Sequence, residues 1–246
     1  MRLAIFAKTF PRPSLAATLD AVVAAGFNAA QFNLALAGDA SSEEIAAAHR
    51  ERGLEMVACS GTVNLAHPDP IRRAAGLAWL LTLIAAAPAL GTRCVTLCTG
   101  TRDPDDVWRA HPDNSTPAAW ADMRASVDAA VAAAEAAGIT LGVEPELGNV
   151  VRDAEAARRL LDEVGSPALK IVMDAANLAP GADVLRASFE LLGGDIVLAH
   201  AKEIDGAVDY PLYLSLLRGV GFDGPLVLHG MPETRIPAAV AFIGGR

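Results

Sequence analysis

The sequence predicts a single (β/α)8 barrel, the TIM barrel fold, formed by one domain over residues 1–246. Three observations favour this fold: eight short strand-like segments, Ala/Leu/Arg/Glu-rich segments with helical spacing between them, and a length that suits eight strand-helix units. No G-x-G-x-x-G follows the first strand, which disfavours the alternative, an open doubly wound sheet with a NAD or FAD site. The predicted strands are Leu3–Ala7, Ala29–Asn33, Glu55–Ser60, Arg93–Thr99, Thr140–Glu146, Leu169–Asp174, Ile196–Lys202 and Pro225–His229.

Polar caps and glycines delimit the helices that are predicted between these strands. Composition is even along the chain, without a linker or a low-complexity tail, and this indicates one domain. Side chains that can cap helix N-termini are Ser14, Ser41 with Glu44, Asp69, Thr116, Asp153 and Thr234. Glycines that can end helices are Gly26, Gly53, Gly91, Gly138, Gly165 and Gly221.

Charge and composition narrow the expected partners. The formal net charge is −9 and no Lys/Arg-rich run offsets it, so nucleic acid is not an expected partner. The apolar run at the N-terminus is too short for a signal peptide, and the apolar segment 77–91 is too short to span a bilayer, so it is expected to be a buried helix. The three cysteines have neither disulfide-framework nor zinc-finger spacing, which suits buried thiols in a reducing cytoplasm. We expect no membrane partner, and a homo-oligomer stays open.

Side chains alternate between two faces along each of the last four predicted strands. One face is apolar and should pack under the helices; it comprises Leu141, Val143, Ile171, Met173, Val197, Ala199, Leu226 and Leu228. The opposite face is polar at the end of each strand, where it carries Glu144, Glu146, Asp174, His200, Lys202 and His229. In a (β/α)8 barrel these strand ends meet at one mouth, the end of the fold where chemistry takes place.

The polar strand ends offer ligands for a divalent cation. Carboxylates and imidazoles from adjacent strands are the groups that Mn2+, Zn2+, Fe2+ or Co2+ prefer, whereas a dedicated Ca2+ site would need more oxygens. The alternative is a hydrogen-bonded polar plug that fills the barrel mouth without an ion.

The same strand ends resemble a known family. The segments "LGVEPE", "IVMDAANL", "LAHAKEID" and "GFDGPLVLHGM" are similar to the sugar phosphate isomerase/epimerase family, which has the xylose-isomerase-like TIM barrel fold. The resemblance extends upstream through "FAKTF", "AAQFN", "SGTVNLAHPD", "CTGTRD" and "VWRAHPDNS", and so covers nearly the whole chain. It implies a divalent metal ion, Mn2+, Zn2+, Co2+ or Mg2+, held by Glu144, Asp174, His200 and His229.

Two positions depart from that family pattern. Many relatives have a Glu where this chain has His229, so His229 is either a metal ligand or a general base. A third interpretation is that His229 is a structural histidine, hydrogen-bonded beneath the barrel mouth. Several epimerase relatives have a His where this chain has Asn177, which keeps a hydrogen bond to sugar hydroxyls but cannot transfer protons.

Such a site allows proton transfer next to a carbonyl group. A metal ion that polarises the carbonyl of a small sugar or hydroxy-carbonyl substrate would stabilise the enediolate formed when the neighbouring carbon loses its proton. Glu144 or Glu146 on one side and His229 on the other could remove and return that proton. Lys202 would hold a substrate oxygen, or else form a salt bridge with Glu146 or Glu203. The expected activity is aldose–ketose isomerisation or epimerisation, and dehydration after the same step stays open.

Further polar and aromatic side chains are predicted to contact the substrate. Gln31, on the lumenal face of the second predicted strand, could contact the substrate or could form hydrogen bonds with backbone groups inside the barrel. The loop 99–115 is long enough to be functional or mobile. As alternatives to substrate contact, His67 could cap a loop and Trp108 could pack on the barrel rim. The expected contacts are Lys8, Asn33, Asn64, His67, Trp108, Glu146 and Asn177.

Two other classes of function fit the same barrel. A metal-dependent phosphodiesterase of the endonuclease IV type would need three zinc ions and many histidines. This chain has five histidines. One of them, His49, lies on a predicted helix and is expected to face solvent. A non-catalytic sugar-binding barrel would follow if the missing strand-8 Glu reflects a loss of proton-transfer groups.

Overall fold

The computed structural model describes residues 1–202, 204 and 208–245. Over this part of the chain, eight parallel strands close into a barrel in sequence order, with the first strand paired to the last. The strands are β1 (Arg2–Phe6), β2 (Ala29–Phe32), β3 (Glu55–Ser60), β4 (Cys94–Leu97), β5 (Thr140–Val143), β6 (Leu169–Asp174), β7 (Ile196–Lys202) and β8 (Pro225–His229). The helices are α1 (Leu15–Ala24), α2 (Ser42–Glu51), α3 (Pro70–Leu90), α4 (Pro117–Ala137), α5 (Ala154–Val164), α6 (Ala182–Leu192), α7 (Tyr210–Gly219) and α8 (Ile236–Gly244). The predicted fold class is confirmed.

Local sequence signals set most helix boundaries. Five of the predicted capping side chains accept a hydrogen bond from the backbone of the first helical turn, namely those of Ser14, Ser41, Asp69, Thr116 and Asp153. The prediction for Thr234 is wrong, because a short 3-10 turn, Glu233–Arg235, leads directly into α8 and leaves it without a side-chain cap. All six predicted terminal glycines have a positive φ, a conformation that glycine adopts without steric cost.

Two apolar layers hold the barrel together. The larger layer lies between the strands and the helices and includes seven of the eight residues predicted to face outward. The smaller layer fills the lumen and includes Phe6, Val172 and Leu198. Val197 packs against this lumenal layer, so the prediction for Val197 is wrong. The cause is a register shift, since Ile171 pairs with Ile196 whereas Val172 pairs with Leu198, and the extra residue of such a bulge breaks the alternation.

The apolar segment predicted as one buried helix belongs to the longer helix α3. Leu80, Leu83 and Ile84 are buried on one face of α3, whereas Ile71 and Trp79 are exposed. Of the helices in the described residues, α3 alone is long and apolar enough to cross a bilayer by length and composition, which is weak evidence for a membrane span. The three cysteines are free and buried, as expected.

The lumenal layer leaves no room for a side chain at Gly142 in β5. A Cβ atom there would lie 2.7 Å from Val172 Cγ2 and 3.3 Å from Val197 Cγ1. We predict that Gly142→Ala lowers the free energy of unfolding by about 1–3 kcal/mol, because overpacking shifts stiff β-branched neighbours. Urea denaturation followed by circular dichroism measures the change.

The matched control is Gly76→Ala in α3, where the nearest atom to the new Cβ would be Val63 Cβ at 3.5 Å. This substitution should stabilise the protein by about 0.5–1 kcal/mol, because alanine is the better helix former. An unchanged unfolding midpoint for Gly142→Ala would contradict the described packing of the lumen.

Candidate active site

The ends of β5 to β8 bring four ionisable side chains together, as the sequence predicts. Glu144 follows β5, Asp174 ends β6, His200 lies in β7 and His229 ends β8. All four are buried, and one ligand-type atom from each lies within 4.8 Å of those of the other three. We call these four residues the mouth cluster.

The orientation of His200 leaves a position in the mouth cluster that could hold a cation. Its Nε2 lies 2.8 Å from Gln31 Oε1, and the Gln31 amide nitrogen donates to Thr96 Oγ1 at 3.1 Å. Gln31 Oε1 is therefore the acceptor, and Nε2 of His200 carries the proton. In the neutral imidazole this tautomer leaves the lone pair on Nδ1, which lies 3.3 Å from Glu144 Oε2 and 3.7 Å from Asp174 Oδ2.

No group in the described residues forms a hydrogen bond with that Nδ1 atom, although the atom is buried. A lone pair that faces two carboxylates is an unfavourable arrangement unless a positive charge lies between them. A divalent cation would satisfy all three groups, and Gln31 would act as the outer partner that fixes the ligating imidazole. The residues present therefore fit a metal ion.

Asp174 and His229 are held in the protonation states that bind cations. Burial opposes ionisation of Asp174, but the hydrogen bond from His229 Nε2 at 3.3 Å and the charge of Lys202 hold its pKa below the usual range. Burial lowers the pKa of His229 to about 4, although the hydrogen bond to Asp174 opposes that change. At neutral pH Asp174 is thus an anion and His229 is neutral, the forms that a metal ion requires.

Asn177 links Lys202 to the mouth cluster. Its amide nitrogen donates to Glu144 Oε1 at 2.5 Å, and its carbonyl oxygen accepts from Lys202 Nζ. Lys202 Nζ also lies 2.9 Å from Asp174 Oδ2 and 4.0 Å from Glu144 Oε1, so its carboxylate partners are Asp174 and Glu144, whereas the sequence suggested Glu146 or Glu203. Glu203 lies outside the described residues. Burial opposes the charge on Lys202, yet Asp174 and Glu144 raise its pKa.

A cavity of about 710 Å³ opens beside the mouth cluster. Five of the predicted substrate contacts line it: Lys8, Asn33, Trp108, Glu146 and Asn177. Burial raises the pKa of Glu146, and the charge of Lys202 opposes that rise. Sequence reasoning missed Trp79, which lies on α3, and also Phe6, Ser60, Val63, Thr96, Cys98, Val107 and Gly230, all of which line the cavity.

Asn64 and His67 do not line this cavity, contrary to the sequence prediction, because their polar atoms join neighbouring loops. Asn64 Oδ1 accepts from the backbone N–H groups of Ala66 and Thr101. His67 accepts a hydrogen bond from the Asp69 backbone N–H at Nδ1, and its Nε2 lies 3.1 Å from the Pro104 carbonyl oxygen. Both side chains shape the rim of the barrel.

The long loop 99–115 is held in place by two asparagine side chains. Asn114 Oδ1 accepts from the Arg102 backbone N–H at 2.7 Å. Asn149 accepts from the Gly100 N–H at 2.7 Å and donates to the Val107 carbonyl at 2.9 Å. Trp108, 53% exposed, is therefore presented to the cavity by a fixed backbone.

The remaining histidines do not extend the mouth cluster. His49 was expected in solvent, but it is 3% exposed, because its ring packs edge-on against Phe32 and bonds to the Ile45 carbonyl. His67 and His111 lie in loops at the rim. Within the described residues the mouth cluster is the one group of three or more potential ligands, which does not suit a three-zinc phosphodiesterase.

Comparison with known proteins agrees with this geometry. The sequence model of the xylose isomerase-like TIM barrel family matches residues 19–244. The chain belongs to the xylose isomerase-like TIM barrel family. No curated protein sequence matches this family member significantly.

Solved structures resemble this xylose isomerase-like barrel at low sequence identity. The apo form of 3-keto-D-glucoside 4-epimerase, YcjR, from E. coli has a TM-score of 0.81 at 17% identity, with all of both chains covered. An L-ribulose 3-epimerase has a TM-score of 0.78 at 20% identity, over 100% of this chain and 86% of that one. An AP endonuclease, family 2, from Brucella melitensis has a TM-score of 0.76 at 19% identity, over 99% and 98%. These similarities establish the fold.

The geometry predicts which of two neighbouring glutamates binds a metal ion. Glu144 belongs to the mouth cluster, whereas Glu146 lines the cavity outside it. We predict that Glu144→Gln weakens Co2+ binding at least about tenfold, because a charged ligand is lost, and that Glu146→Gln changes it by less than about threefold. Titration of chelator-treated protein, followed by the visible absorption of Co2+, measures both. Equal losses in the two variants would contradict the assignment.

Proposed function

We propose that this protein is a divalent-metal-dependent sugar isomerase or epimerase that transfers a proton at the carbon next to a carbonyl group. The observation that carries the proposal is the mouth cluster, with its unpartnered His200 Nδ1, beside a cavity that also presents Glu146 and Lys202. Two of the similar structures are sugar epimerases by name, which supports a sugar substrate.

Glu144, Asp174, His200 and His229 would hold the metal ion. When bound, the ion supplies positive charge that polarises a substrate carbonyl and favours loss of the neighbouring proton. Lys202, fixed by Asp174 and Asn177, has hydrogen-bonding capacity left to donate to a substrate oxygen, because an ammonium group has three N–H bonds. That bond would orient the substrate and stabilise negative charge on the oxygen.

Glu146 is the side chain best placed to move the proton. The oxygens of Glu144 face Asn177 and His200, whereas in the described residues the Glu146 carboxyl accepts a hydrogen bond from the Gly148 backbone and none from a side chain. The Glu146 carboxylate would take the proton from carbon, and the electron pair would move to the carbonyl oxygen to give an enediolate. The hydroxyl proton of the enediolate then passes to the former carbonyl oxygen, and return of the first proton from Glu146 to the adjacent carbon, on the same face, completes an aldose–ketose isomerisation.

Epimerisation would need a second proton-transfer group on the opposite face of the substrate. His229 is the residue available on β8, but its Nε2 is directed at Asp174 in the mouth cluster. Because Glu146 is the one carboxylate that lines the cavity outside the mouth cluster, isomerisation is the reaction that the geometry supports best.

Deuterium exchange tests this proposal. Protein loaded with Mn2+ or Co2+ should exchange the proton next to the carbonyl of one or more aldoses or ketoses in D2O, measured by NMR. Glu146→Gln should lower the exchange rate by about 10²–10⁴-fold, because an amide cannot act as a general base. The surface variant Glu155→Gln, on α5, is the matched control and should exchange at the wild-type rate.

Two results would count against the proposal in different ways. Metal binding without exchange on any sugar would support the non-catalytic sugar-binding barrel. Wild-type exchange in Glu146→Gln would show that Glu146 does not move the proton.

A further inference from the structure

Lysine is used sparingly in this chain and is concentrated at the barrel mouth. The sequence has 17 arginines and three lysines. Two of those lysines, Lys8 and Lys202, line the cavity beside the mouth cluster. The third, Lys170 at the start of β6, forms a salt bridge with Asp195 at 2.7 Å. The cavity therefore presents ammonium groups in a protein whose basic residues are mostly arginines. Lysine and arginine side chains are not interchangeable in ligand binding.

Lys8 differs from the other two lysines because no carboxylate lies within ion-pair distance of it in the described residues. Within the described residues, Lys8 Nζ forms neither a hydrogen bond nor a salt bridge; it lies 4.3 Å from the centre of the Phe6 ring. Burial, assisted by the charge of Lys202, lowers the pKa of Lys8, although Glu144 opposes that change. Lys8 is also exposed to solvent, and an accessible ammonium group with an aromatic face as its nearest partner is suited to bind an anion that enters the cavity.

The charge of the whole site also favours an anion. Glu144, Glu146 and Asp174 are set against Lys8 and Lys202 among the cavity and cluster side chains. Three carboxylates and two ammonium groups leave one negative charge, and a divalent cation would convert it into one positive charge. A substrate with a single negative charge would neutralise the loaded site.

We propose that the substrate is a sugar acid whose carboxylate binds Lys8 while its carbonyl end lies at the mouth cluster. This inference rests on the proposed function and specifies its substrate class. One molecule can contact both places, because Lys8 Nζ lies 4.3 Å from the Phe6 ring centre and that centre lies 6.0 Å from the His229 ring centre. A carboxylate fits better than a phosphate, since a phosphate brings up to two charges and is usually held by several donors.

Matched ligands test the inference without requiring turnover. D-fructuronate and D-tagaturonate differ from D-fructose and D-tagatose only at the carbon farthest along the chain from the ketone end, where a carboxylate replaces a hydroxymethyl group. Calorimetry on the Mn2+-loaded protein should show that at least one acid binds about tenfold more tightly than its neutral partner, as a charge-assisted hydrogen bond provides. Lys8→Met should reduce this ratio to about one, and Lys8→Arg should retain part of it.

Lys170→Met is the matched control, because it removes a lysine away from the cavity, and it should keep the wild-type ratio. A preference for the acid that survives in Lys8→Met would overturn the inference, since the carboxylate would then bind elsewhere. Failure of both acids to bind would also overturn it. Tighter binding of D-fructose 6-phosphate, lost in Lys8→Met, would replace the carboxylate with a phosphate. The binding ratio and the exchange assay are independent, so either proposal can fail alone.

Discussion

The register of β6, β7 and β8 is the constraint on which the site depends. Asp174 pairs with His200 across one strand boundary, and Lys202 pairs with His229 across the next. A slip of one residue would turn these polar side chains into the apolar layer under the helices. The bulge that turns Val197 toward the lumen lies just before this pairing, so a local irregularity in β7 accompanies the alignment of the mouth cluster.

Burying two carboxylates close together costs free energy, and the surrounding side chains offset that cost in specific ways. Lys202 and His229 contact Asp174, while Asn177 contacts Glu144. His200 Nδ1 is the one member of the mouth cluster left without a hydrogen-bond partner in the described residues. The same arrangement that neutralises most of the cluster thus leaves one buried position that a cation could satisfy.

Much of this could be predicted from the sequence because strand alternation and strand ends are local signals. The acidic end of β5, with Glu144 and Glu146, was readable from an apolar strand that turns polar where it leaves the core. Parallel strands then require that such ends meet at one mouth. The protonation states and the outer partner of His200 could not be predicted, because they depend on Gln31, which is distant in sequence.

The errors have physical causes of the same kind. Alternation cannot reveal a bulge, so Val197 was placed on the wrong face. Residue type alone cannot show that His49 is buried against Phe32, or that the amide of Asn64 is used to join two loops. The absence of an ion pair at Lys8 could not be predicted, because a sequence does not show which charged side chains lack partners in the fold. The one feature of the sequence that pointed to Lys8 was the small number of lysines in the chain.

The most direct test of the central claim is a crystal structure of the Mn2+-loaded protein with an anomalous difference map. The account predicts one strong peak at about 2.0–2.3 Å from His200 Nδ1 and in contact with Glu144, Asp174 and His229. A peak elsewhere, or a mouth cluster that stays empty at saturating Mn2+, would contradict it.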